Sequence, residues 1–244
     1  MLLRRFMQHV KDQNWFAVGL DVVVVIVGIF LGMQVTEWND ARKEQITSDE
    51  YMSRIITDLN SDINLFNTVI SAAEIRLSKG LFIRDLYNGY QPTEDEYSEL
   101  LKTVRLAGFT FRAKVNDNTF EALKSSGTLH LIPTANIRDE LFSYYGFLNH
   151  TDQWSYITND NQLGYLDALK DIRTLEQADA WFAGVDETIT TEEGKVLLDK
   201  ILQSNDLKRS LPGLIIAQRK FISDARRSIE MANNILEMLN SSSE

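Results

Sequence analysis

The chain has 244 residues, 44% of them hydrophobic and 25% charged, with 12 Gly, 3 Pro and no Cys. That balance excludes intrinsic disorder, collagen-like repeats and a disulfide scaffold, and the missing thiols exclude thiolate catalysis and thiolate metal sites. The net charge is -10, and residues 1–44 hold five Lys/Arg against five Asp/Glu, so the whole deficit lies in residues 45–244. An acidic domain of this kind repels phosphate backbones, and no nucleic-acid partner is expected.

Residues 13–36 carry a single charge, Asp21, and at 1.5 Å per residue they reach about 36 Å, enough to cross a bilayer core with some tilt. Trp15 and Trp38 bracket the run as interface anchors, each able to bury its ring and hydrate its indole N–H at a headgroup layer. Arg4, Arg5 and Lys11 also suit a cleaved signal peptide. The run is too long for one and no small-x-small cleavage site follows Phe30, so an uncleaved transmembrane helix over residues 14–36 is expected. Three Lys/Arg precede it, whereas residues 37–50 carry two basic among five acidic residues. The start, residues 1–13, is therefore expected in the cytoplasm, residues 37–50 form a joint or stalk, and residues 51–244 face the periplasm or exterior of an inner-membrane protein.

Asp21 is the one side chain in the span that hydrocarbon should not tolerate. On a helix of about 100° per residue, Gly28 and Gly32 fall within about 20° of it, and Ala17, Val25 and Val35 within about 40°. The Gly28 and Gly32 spacing lets a second helix approach closely and would hide Asp21, so a packing partner is expected, either another copy or another membrane protein. The plainer reading is that Asp21 snorkels or is protonated and that the glycines are incidental. The segment LDVVVVI, residues 20–26, also resembles the single span of stator-type proton-channel subunits of energy-transducing motors. That likeness implies a proton-carrying Asp21.

Beyond the joint, helical period dominates. Met52, Ile56, Leu59, Ile63, Phe66, Ile70, Ala73 and Leu77 alternate in spacings of four and three, the pattern of a bundle seam. A second seam, Ile222, Ala225, Ile229, Ala232, Leu236 and Leu239, predicts a long last helix starting after Ser210 with Pro212 in its first turn, paired with the first. Thr93 with Glu96, Asn118 with Glu121, and Thr190 with Glu193 have capping spacing and predict three more helix starts. Gly127 should end a short helix in the left-handed conformation. The TLHLI segment after it reads as a brief edge strand up to Pro133, and Thr134 opens another helix with Ile137, Leu141, Tyr145 and Leu148 facing inward. The predicted fold is all-α: one transmembrane helix, then a helical bundle with long first and last helices.

Residues 28–42, GIFLGMQVTEWNDAR, and residues 119–127, TFEALKSSG, continuing through LHLIP to Ile137-Arg138-Asp139-Glu140-Leu141 and Tyr144-Tyr145, resemble a large bacterial family of single-pass membrane proteins classed as a domain of unknown function. The resemblance implies an amino-terminal anchor and a helical extracytoplasmic domain, and it brings no catalytic or ligand residues with it.

Chemistry is sparse in the sequence. His130 and His150 have neither HExxH spacing nor a Cys partner, and each has the surroundings of an ordinary strand or helix-bend residue. Ser125, Ser126 and Gly127 do not form a nucleophile elbow, and no glycine-rich turn leads into Lys-Ser or Lys-Thr. The pairs Asp95-Glu96 and Glu192-Glu193 sit at helix starts, where carboxylates offset the helix dipole. Tyr144, Tyr145, Phe147, Trp154, Tyr156 and Tyr165 crowd one region; they would either line a cleft between helices or fill the core, the commoner use of large rings. No cofactor or metal is expected. The residues favour a non-enzymatic interaction or sensing module, anchored in the bilayer, with a helical domain that binds a partner protein or small ligand. The alternative is an ion-coupled subunit of a membrane complex with Asp21 as proton carrier.

Overall fold

In the computed structural model the described residues are 15–110, 114–152, 155–180, 183–185 and 187–241, and side chains are described from Leu20 onward except Asp21 and residues 151–158. The expected cytoplasmic start, residues 1–13, and Trp154 lie outside the described residues, as do the side chains of Trp15, Asp21 and Tyr156. Among the described residues there is no β-strand. The helices are α1 (Trp15–Tyr87), α2 (Glu94–Ser98), α3 (Leu100–Ala107), α4 (Asn118–Ser126), α5 (Ala135–Asp152), α6 (Ser155–Ile172), α7 (Leu175–Asp179), α8 (Thr191–Gln203) and α9 (Asn205–Ser241), with a 3-10 turn at Leu129–Leu131. The chain divides into two compact units, Met1–Tyr51 and Met52–Glu244.

The first unit contains the opening part of α1, and its start is long and apolar enough to cross a membrane. Twelve large apolar side chains between Leu20 and Val35 are each 48–65% exposed, on every side of the helix. None of the described residues buries that stretch.

The second unit is a helical bundle, and the register of its first helix differs from the expected seam. The buried stripe on α1 runs Met52, Ile55, Leu59, Asp62, Phe66, Val69 and Ala73, in spacings of three then four. Ile56, Ile63, Ile70 and Leu77 are half-buried beside it. The expected seam avoided a carboxylate; the real one accepts Asp62 because neighbouring elements supply its hydrogen bonds. The same correction applies to α9, where Ser228 and Ile235 occupy the buried positions expected for Ile229 and Leu236. The Ser228 hydroxyl is satisfied by donating to Asp224 O one turn back (2.9 Å), so a polar side chain can face the core without a lost bond.

Helix α9 also begins earlier than expected. Its first turn is capped by Ser204, whose Oγ accepts from Leu207 N–H (3.2 Å), and Leu207 and Leu211 are buried, so the helix continues through Pro212. Packing of those two leucines outweighs the hydrogen bond that the proline ring forgoes. Helices α1 and α9 do meet, through the Arg226 to Glu74 ion pair (2.8 Å) and at Gly80, where a Cβ would stand 3.2 Å from Ile215 Cγ1.

The local stops and starts mostly follow the sequence. Thr93 and Thr190 form capping boxes with Glu96 and Glu193, and Thr174 with Gln177 adds one at α7. At α4 the N-cap is Asp117, with no side-chain cap bond, and Asn118 is the first helical residue. Gly127 does end α4 in the left-handed region, at φ 72°. The expected edge strand after it is the 3-10 turn, because Leu131 N–H finds Thr128 O (2.9 Å) and Ile132 N–H finds Leu129 O (3.2 Å) within the turn itself. With its amides paired locally, the segment has no use for a strand neighbour. Thr134 then caps α5 through Ile137 N–H (3.2 Å).

Candidate functional site

Asp58 and Asp62 stand one turn apart on α1, 7% and 1% exposed. The left-handed stop at Gly127 and the short turn after it fold α5 back, and three elements then converge on the two carboxylates. The loop of residues 114–117 brings Asn116, which donates its backbone N–H to Asp62 Oδ1 (3.2 Å) and its Nδ2 to Asp58 Oδ1 (2.8 Å). Helix α4 brings Thr119, whose hydroxyl donates to Asp58 Oδ2 (2.5 Å), and α5 brings Tyr144, whose phenol donates to Asp62 Oδ2 (2.9 Å). Each carboxylate oxygen thus accepts from one neutral donor, and among the described residues no lysine, arginine or histidine forms an ion pair with either carboxylate.

The electrostatics follow from that arrangement. Burial raises the pKa of Asp62 above its ordinary value; the bonds from Asn116 and Tyr144 pull it down, while the charges of Asp58 and Asp117 push it up again. The Tyr144 phenol is driven upward by burial and then by the Asp62 carboxylate it bonds. Tyr145, 4% exposed, is raised by burial and by the nearby charges of Asp62, Asp58 and Asp117, and its hydroxyl has no hydrogen-bond partner among the described residues. Its ring stacks on Phe120 at 4.7 Å and meets Tyr144 edge-on at 5.0 Å, which fixes the hydroxyl in place.

A second buried charged group differs in kind. Arg105 on α3 and Glu187 form a bidentate pair at 2.7 and 2.5 Å, 10% and 7% exposed, and so are charge-compensated. Nearby, Tyr165 donates to Val104 O (2.9 Å), closing the ring's one polar need inside the core.

The residues expected to matter in the membrane segment lie elsewhere. Gly28 and Gly32 are one turn apart on α1 with open space where a Cβ would stand. Trp38 is 66% exposed, with the Arg42 guanidinium 6.0 Å from its ring. His130 and His150 are both exposed, and among the described residues no group of three His, Asp or Glu is placed to hold a metal ion. Of the aromatic group, Tyr144, Tyr145 and Tyr165 are buried in the core, and Phe147 is half-buried against Arg227 (4.7 Å). Glu96 and Glu193 serve their caps, their pKa values lowered first by the backbone bonds from Thr93 and Thr190.

Sequence reasoning missed Asp58, Asp62 and the Arg105–Glu187 pair. A signal for Asp62 existed: the three-four spacing from Met52 fits just as well when it passes through position 62. No such signal marks Arg105 and Glu187, 82 residues apart and joined only by the fold. Comparisons with protein-family models, with curated proteins and with solved structures found no match.

Proposed function

We propose that the protein is a membrane-anchored, non-enzymatic interaction module: α1 crosses the bilayer near its start, the amino terminus stays in the cytoplasm, and the bundle of residues 52–244 binds a partner protein or small ligand on the other side. One observation carries this reading. The apolar run of α1 is exposed all round and is not buried by any of the described residues. Twelve half-exposed Val, Ile, Leu, Phe and Met side chains in water would cost on the order of 10 kcal/mol relative to burial. Lipid removes that cost without asking anything of the bundle.

Within the bilayer, Gly28 and Gly32 offer a surface on which another helix can close, and Asp21 gains a protein neighbour in place of hydrocarbon when it does. The proposed partner is a second copy or another membrane protein.

The absence of native cysteine makes topology directly measurable. Single cysteines placed at Gln8 and at Ser243 are probed with a membrane-impermeant maleimide in intact cells. Labelling at Ser243 alone, with the protein resisting alkaline carbonate extraction, supports the reading. Release into the soluble fraction, or labelling at Gln8 alone, refutes it.

A further inference from the structure

We propose that the carboxyl pair Asp58 and Asp62 is a proton-binding latch: one proton, held at Asp62, locks the loop of residues 114–117 and α4 onto α1, and its loss as the pH rises loosens them. The geometry carries this. Two carboxyls, both more than nine-tenths buried, face only neutral donors: Asn116 from the loop, Thr119 from α4 and Tyr144 from α5. The charged groups bearing on Asp62 are Asp58 on its own helix and Asp117 on the loop, and both are acidic. With both carboxyls ionised, the pair holds two like charges that no described cation offsets, the arrangement that low-dielectric surroundings penalise most. Taking a proton from solvent at Oδ2 removes one charge. The carboxyl O–H then donates to the Tyr144 phenol oxygen, whose own hydrogen turns away from Oδ2, while Oδ1 still accepts from Asn116 N–H.

The Tyr145 hydroxyl is the second, independent observation. It is buried within the reach of the same carboxylates' charges and has no hydrogen-bond partner among the described residues, so the cluster as it stands is one polar interaction short, as expected of a site that changes its protonation state. A metal is a poorer occupant, since among the described residues no three acidic groups are placed to hold one and every oxygen of the pair already accepts a bond. A proton needs neither more ligands nor more space.

Linkage fixes the sign. A folded pKa above the ordinary 3.8 means that the folded state binds more protons than the unfolded one between those two values. Stability is then greatest at low pH and is lost as the pH rises through the folded value, the folding constant falling by up to about tenfold per pH unit within that window. The test uses the full chain in detergent micelles, with urea unfolding and amide hydrogen exchange followed from about pH 4.5 to about pH 8, exchange being corrected for its intrinsic base catalysis. Wild type should lose stability with rising pH, and amides of residues 114–126 should lose protection several-fold before the rest of the bundle does. Asp62→Asn, a mimic of the neutral carboxyl, should be flat across the window and keep that segment protected at the alkaline end, while Asp117→Asn keeps most of the slope. Should Asp62→Asn not fold, infrared spectroscopy of the wild type decides: a protonated-carboxyl band must fade across the same window. A flat or rising stability profile in the wild type, an Asp62→Asn slope equal to wild type, no such band, or stabilisation by millimolar calcium in its place would overturn the latch.

Discussion

Alanine at Gly194 would put its Cβ 2.5 Å from the backbone oxygen of Tyr97 and 2.8 Å from Tyr97 Cβ. Neither atom can swing aside, because Tyr97 belongs to α2, whose ends are fixed by the Thr93 capping box and by the Ile189 N–H to Ser98 O bond (3.0 Å). Relief requires the α2–α8 contact to open, an overpacking cost of about 1–3 kcal/mol. Against that, replacing glycine inside α8 gains at most about 1 kcal/mol of helix propensity. The steric cost wins, leaving Gly194→Ala destabilised by about 1–2 kcal/mol and its Tm lower by about 2–8 °C. Gly146 is the internal control: it lies within α5, is exposed, and has nothing within 4 Å of a Cβ. Gly146→Ala gains propensity without a clash and should raise Tm by about 2–4 °C. Thermal melts of both variants in one detergent, followed by far-ultraviolet circular dichroism, measure the pair. Equal Tm increases for the two would show that α2 does not press on α8, and the reasoning would fail.

Tyr144→Phe removes a donor from the buried Asp62 carboxylate and should cost about 1–3 kcal/mol, with the loss smaller at acidic pH where Asp62 is neutral; urea midpoints at two pH values decide it. Thr190→Ala removes the α8 cap and should cost about 1 kcal/mol, also read from urea unfolding. Glu96 and Glu193 have pKa values lowered below the ordinary 4.5, so their stabilisation is fully present above that value and lost as the pH falls through the lower folded values, the opposite sign to Asp62. The two contributions change stability in opposite directions as the pH rises, and an acid-to-neutral titration should pass through a maximum where their slopes cancel. Gly28→Leu combined with Gly32→Leu should abolish crosslinking between spans in membranes while leaving the melting of the bundle unchanged; persistent crosslinking would remove the packing role of that face.

The elements and their punctuation were legible in the residues. Two capping boxes, the left-handed Gly127 stop, the Thr134 start and the long apolar run of α1 each depend on groups within a few positions of one another, and local chemistry decides them. Register was less legible. Seams through Ile56 and Ile63 or through Ile55 and Asp62 fit the same helical period, and hydrophobicity alone favours the wrong one. Only the tertiary structure brings Asn116, Thr119 and Tyr144 to Asp62, and those donors make a carboxyl tolerable in the stripe. The same holds for Arg105 and Glu187, which meet from 82 residues apart; the 3-10 turn, by contrast, closes on the local amides of Leu131 and Ile132, which the alternation of the segment disguises as a strand. Local sequence settles most of the points where the backbone's own hydrogen bonds begin and end, although the start of α9 and the turn at Leu129–Leu131 escape it. Which polar side chains may be buried depends on partners far along the chain, and folding alone brings those partners within bonding distance.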